Sequence, residues 1–211
     1  MTRSFTRLVL RPEFGEHDFK LVVWDLFWNL LDLGRKEDGA VVDSWLTPDG
    51  RAEVHYVDDR TTGLRYVTIR GEGAAETEAE LRPRCRVWTL DEALTALRRS
   101  AGRGERPAAD DRPEADDRPG ADDRNDRLVA LYAAALTAEG PEDRAVVEAF
   151  AAAARDDDPG IRQAVVVATG YLPWPGLVAL VEELGRTDPV DHVRHNARVL
   201  LEGLARTEGD S

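Results

Sequence analysis

Lysine and cysteine are nearly missing from this chain of 211 residues. Cys85 stands alone, so it has no partner for an internal disulfide and cannot build a cysteine zinc site by itself. Lysine occurs only at Lys20 and Lys36, and every other basic side chain is arginine. No stretch approaches 18 uninterrupted apolar residues, which excludes a spanning helix read from hydropathy. The opening Met1–Arg7 leads straight into a strand-like segment and lacks the apolar stretch of a signal peptide. A cytoplasmic location is the expectation.

A basic footprint is missing too. The net charge is −13, and residues 128–211 hold 7 basic against 14 acidic side chains. Nucleic-acid binding draws much of its affinity from phosphate contacts, which need basic groups. The expected partner is instead another protein with a basic surface, with no nucleic acid, no membrane and no cofactor.

What is present divides the chain in three. Ala109-Asp110-Asp111-Arg112-Pro113-Glu114 is followed by Ala115-Asp116-Asp117-Arg118-Pro119-Gly120 and Ala121-Asp122-Asp123-Arg124. This six-residue unit has no large apolar side chain to offset its chain entropy, and its prolines oppose helix continuation. Residues 100–124 are therefore expected to be a disordered linker between an α+β domain at 1–99 and a helical domain at 125–206.

In the first part, Phe5–Arg11 alternates as a strand. Asp18 is placed to cap a helix running to about Leu33, with Gly34 as its stop. Trp24 and Trp28 stand at helical spacing on its apolar arc. That arc is wider than one sheet face needs, so the helix is either sandwiched between layers or a surface for self-association. Residues 41–46, 52–57 and 64–70 read as an antiparallel meander, with Thr47-Pro48-Asp49-Gly50 as a tight turn. Residues 71–81 are weakly patterned, a loop with at most a helical turn, and 84–88 read as a further strand or edge. Thr89-Leu90-Asp91-Glu92 is a capping box opening a helix whose apolar side is Leu90, Ala93, Leu94 and Leu97. The expected order is β-α-β-β-β-(β)-α, an antiparallel sheet with two helices.

The last part reads as helices near 126–138, 142–155, 159–170, 176–185 and 189–205, punctuated by Gly140-Pro141, Asp158-Pro159, Pro173-Trp174-Pro175-Gly176 and Asp188-Pro189. Asp158-Pro159-Gly160-Ile161-Arg162, with Ala164, Val165, Ala168 and Gly170 after it, resembles the start of a HEAT repeat. Residues 177–184 resemble that repeat's second helix. Asp188-Pro189, Val193-Arg194 and Ala197 open the next copy, and the two apolar-arginine pairs lie 32 residues apart. The resemblance implies a stack of helical hairpins that binds proteins. It makes Asp158 and Asp188 helix caps, and Arg162 and Arg194 ties to a neighbouring repeat. It puts the partner surface on the second helices, 142–155 and 176–185, with Glu142, Glu148, Glu182 and Glu183 as its polar groups. Trp174, between two prolines, is either an anchor for a partner or a cover for the hairpin edge.

Other constellations are weaker. Asp188, Asp191, His192 and His195 fall on one helical face and could hold zinc, but an exposed polar helix start explains them more simply, and no metal site is expected. His17, His55 and Cys85 have the chemistry of a nucleophile and base, yet nothing in the sequence gathers them, and Cys85 reads as a buried filler. The expected function is a non-catalytic protein–protein scaffold. The alternative is an immunity-type inhibitor of a basic toxin; less favoured is an enzyme in the N-terminal domain.

Overall fold

The computed structural model describes residues 5–37, 39–103 and 119–209, with the backbone alone for 100–103, 119–122 and 208–209. Most of the residues read as a linker thus lie outside the described ones. The chain forms two compact units, residues 1–89 and 90–211.

The first unit is a five-stranded antiparallel sheet in the order β1-β5-β4-β3-β2. Its strands are β1 Phe5–Val9, β2 Asn29–Glu37, β3 Ala40–Leu46, β4 Glu53–Asp59 and β5 Leu64–Arg70. The β3–β4 turn forms as its residues require: Gly50 has φ +72°, and the Thr47 amide and Ala52 carbonyl close the hairpin. Two helices, α1 Glu16–Asp25 and α2 Ala74–Leu81, accompany the sheet. One core gathers Leu8 and Leu10 of the first strand segment, Val54 and Tyr56 of β4, Val67 and Ile69 of β5, Phe19 of α1 and Leu81 of α2. Phe19 lies at its centre, edge-on to Trp45 at 5.6 Å and stacked on Tyr56 at 5.3 Å.

Five expectations for this unit are corrected. The helix expected to run to Leu33 ends at Asp25, and Asn29–Glu37 is the edge strand β2. The cause is the left-handed turn at Phe27, just past the C-cap residue Leu26. The Phe27 amide donates to the Trp24 carbonyl and the Trp28 amide to the Val23 carbonyl, with Phe27 at φ 55°. This is a Schellman ending, in which the left-handed position normally belongs to glycine. Asp18 does not cap α1 from outside. Gly15 is the N-cap residue, and its amide donates to Asp18 Oδ2 at 2.8 Å. Gly34 stops no helix but sits in an irregular stretch of β2 at φ +66°, where its amide donates to Asp43 Oδ1 at 2.6 Å. Residues 74–81 are helical, and 84–88 form no strand beyond one bridge, Leu10 to Val87.

The second unit is all helical: α3 Leu90–Arg103, α4 Pro119–Thr137, α5 Arg144–Ala153, α6 Pro159–Tyr171, α7 Pro175–Thr187 and α8 Asp191–Gly209. The helix expected to complete the sheet domain, α3, belongs here and packs on α4 and α5. The stretch read as linker is helical at both described margins, up to Arg103 and from Pro119. Neighbour contacts arrange the helices in two rows, α3-α5-α7 and α4-α6-α8. Buried alanines of α4 (Ala130, Ala133, Ala134) together with Ala164 and Ala168 of α6 permit close approach between rows and along them. No described helix is long and apolar enough to cross a membrane.

Candidate functional site

The chemistry of the helical unit is concentrated where its interhelix loops meet. Asp158 caps α6, taking the Gly160 amide at 2.7 Å, with Pro159 in the first turn. Its outer oxygen receives Arg124 Nε at 2.6 Å. Burial pushes its carboxyl upward, but the Gly160 amide and the Arg124 guanidinium outweigh that and hold it below its ordinary range.

Arg162, one turn into α6, turns inward. Its Nε and Nη2 grip Asp188 at 2.7 and 3.0 Å, a bidentate pair whose side chains are 8% and 0% exposed. Its Nη1 donates to the carbonyls of Asp156 and Asp157 at 2.7 and 3.1 Å. Asp188 also takes the Val190 amide at 2.8 Å. Held first by Arg162, its carboxyl lies below the usual carboxylate range.

The ion pair recurs one unit earlier, and the contact to a loop carbonyl recurs one unit later. Arg127 of α4 pairs with Asp156, which lies 32 residues before Asp188, as Arg162 lies 32 before Arg194. Arg194 of α8 donates to the carbonyl of Asp188, six residues back, as Arg162 does to that of Asp156. Its other nitrogen pairs with the exposed Asp191. Arg127–Asp156 and Arg162–Asp188 are therefore successive rungs of one ladder. The sequence reading found Arg162, Asp188 and Arg194 but missed Arg127 and Asp156. The signal was available: stepping back 32 residues from Asp188 reaches Asp156, whereas the Asp-Pro motif drew the eye to Asp158.

Beside this ladder a cleft of about 490 Å³ opens between α5 and α7. Ala151 and Ala154 form its α5 wall, Leu180 and Glu183 its α7 wall, and Arg162 and Asp188 belong to its lining. A second cleft of about 480 Å³, reached from Leu97 and Arg98 of α3, shares Arg155, Asp156 and Asp157 with the first. The three consecutive aspartates of the α5–α6 loop thus stand between two openings.

Of the carboxylates placed on the partner surface, two are already engaged. Glu142 accepts the Gly176 amide at 2.6 Å and so ties the start of α7 to α5, and Glu148 pairs with Arg144 at 2.6 Å. Glu182 and Glu183 are exposed and make no ion pair among the described residues. Trp174 is half-buried and precedes α7 as its N-cap residue.

The other sets are not assembled. Asp188 is committed to Arg162 and Asp191 to Arg194, while His192 and His195 are exposed; among the described residues no group of three metal-ligating side chains forms. His17 is exposed on α1, and His55 of β4 lies against Glu53. Cys85 is buried in the sheet unit's core, which pushes its thiol up to about 11, away from a reactive thiolate.

No protein-family model, curated protein or solved structure matches this chain.

Proposed function

We propose that the helical unit is a HEAT-like stack and that the protein is a non-catalytic scaffold, holding a basic segment of another protein along the row formed by α5 and α7. The observation that carries this is the division of charge around the cleft. Its inner carboxylates, the half-buried Asp156 and the buried Asp188, are neutralised by the arginine ladder. Glu183 and Asp157 at its rim, and Glu182 beside them, are exposed without an ion-pair partner among the described residues. Locked pairs keep the shape of the cleft, and free carboxylates remain to attract cations, mainly by steering the encounter. The repeat of the arginine–aspartate contact at 32 residues supports a solenoid whose successive units are related by that contact.

The test is capture from native lysate with the full chain as bait, beside the Glu182→Arg/Glu183→Arg variant. A basic protein retained by the first and lost from the second, with both baits equally folded, is the expected result. Retention of the same proteins by both baits removes the α5–α7 surface from the function. A captured partner with nuclease or other toxic activity would select the inhibitor reading.

A further inference from the structure

Seven large apolar side chains are exposed among the described residues, and six of them fall between residues 21 and 33. Leu21 and Trp24 belong to α1 and Phe27 to the turn that ends it; Leu30, Leu31 and Leu33 belong to β2. Trp24 is 79% and Phe27 82% exposed, whereas Trp28 next to them is buried. Together these six side chains expose on the order of 600 Å² of apolar surface, close to the ~800 Å² each partner contributes to a standard interface. Phe27 is held at positive φ to stand there. A bulky residue seldom adopts that conformation, and the strain does not serve burial.

The strand beneath the patch is a sheet edge. β2 is terminal in the strand order, every residue in it is exposed, and no described strand pairs with its outer side. Natural edges of this length are usually blunted by charge or covered. Here four of the nine residues are charged, Asp32, Arg35, Lys36 and Glu37, and two of them are arranged in a particular way. Asp32 pairs with Ser44 of β3 and Arg35 with Val42, two residues along, so both project on the same face despite the bulge between them. Asp32 binds only the amide of its neighbour Leu33, and Arg35 pairs with Glu37 of its own strand at 2.7 Å.

We propose that this edge is covered by a second copy of the chain, with the two β2 strands antiparallel about a two-fold axis at Leu33–Gly34. That axis sets Asp32 of each copy across from Arg35 of the other, twice, and a like-charged parallel arrangement is disfavoured. Arg35 then lies between its own Glu37 and the other copy's Asp32. Gly34, at the axis, has no side chain, and a Cβ built there meets nothing, so two backbones can approach. The leucines of β2 and the exposed face of α1 bury against their equivalents. Two linked copies would engage a bivalent partner with higher avidity.

Sedimentation equilibrium of the full chain tests this. The expected species at about 100 µM is a dimer of twice the 23.4 kDa chain mass. Trp24→Glu, exposed and so harmless to the fold, and Asp32→Arg should each raise the dimer dissociation constant roughly tenfold or more. Asp32→Arg/Arg35→Asp restores the opposed charges and should return it to near the wild-type value. A wild-type chain that stays monomeric at that concentration overturns the proposal, including one whose patch instead binds anionic vesicles or an unrelated protein. So does a dimer indifferent to both single variants, or a double variant no tighter than Asp32→Arg.

Discussion

Arg162 directs all three guanidinium nitrogens into the fold, two to a buried carboxylate and one to two carbonyls. Removing it leaves Asp188 charged and buried without its partner, a loss that costs about 3–5 kcal/mol. Arg194 has one carbonyl and one exposed carboxylate, and Arg198 is exposed with a single carbonyl contact along its own helix. Alanine at the three positions should therefore destabilise in the order 162, 194, 198, the last by about 0.5 kcal/mol or less; denaturant unfolding of each variant checks the order. The aspartates add a pH dependence. The folded Asp188 and Asp158 carboxyls lie below their unfolded values. Their contribution is present above the unfolded value of about 4 and is lost as pH falls through it and on through the folded value. The melting temperature should drop on the acid side, and Asp188→Asn, less stable at pH 7, should show the shallower drop. Much of this residue pattern was legible, because apolar-arginine pairs and Asp-Pro caps leave fixed spacings in sequence. Arg127 was not, because no Asp-Pro motif precedes it to mark it as a rung.

At the scale of elements, α1 and β2 show what periodicity cannot resolve. Residues 19–33 are apolar at most positions, so neither a helical nor an alternating pattern stands out, and the joint between them is a backbone event at Phe27. Glycine ordinarily marks a Schellman end; here an aromatic does, and the nearest glycine, Gly34, pointed seven residues too far. Phe27→Gly should relieve left-handed strain while losing almost no buried surface. It is expected to be neutral or to stabilise by up to about 1 kcal/mol, against a loss of about 3–5 for Trp28→Ala in the core. Thermal unfolding of the two variants separates them, and a large loss in Phe27→Gly would mean that the ring packs. The strands β3, β4 and β5 were legible since residues 52–57 alternate, a proline-glycine turn fixes the first hairpin and a polar loop at 58–63 sets off the third strand. Helix α2 was not: Thr77 and Leu81 are its buried contacts, and much of its local support is charge pairing, Arg82 to Glu78 and Arg84 to Glu80.

At the scale of the molecule, the boundary lies at Thr89/Leu90, at the start of the helix that the capping box opens and not after it. Composition signals a linker where polar residues accumulate, but it does not tell which core a preceding amphipathic helix joins. That choice is tertiary: Ala93, Leu94 and Leu97 are buried, and α3 packs on α4 and α5. Residues 90–211 should accordingly fold with a higher melting temperature than 104–211, in which α4 and α5 lose that neighbour; equal transitions would separate α3 from the helical core. The row in which α3 is followed by α5 and α7 carries the free carboxylates proposed to receive a partner. The most direct measurement is fluorescence anisotropy of an arginine-rich peptide titrated with the full chain at several salt concentrations, beside Glu182→Arg/Glu183→Arg. The expected result is binding by the wild type that weakens as salt rises, and a loss of roughly tenfold or more in the variant at unchanged melting temperature. Equal binding by both proteins, at every salt concentration, would contradict an acidic binding surface on α7.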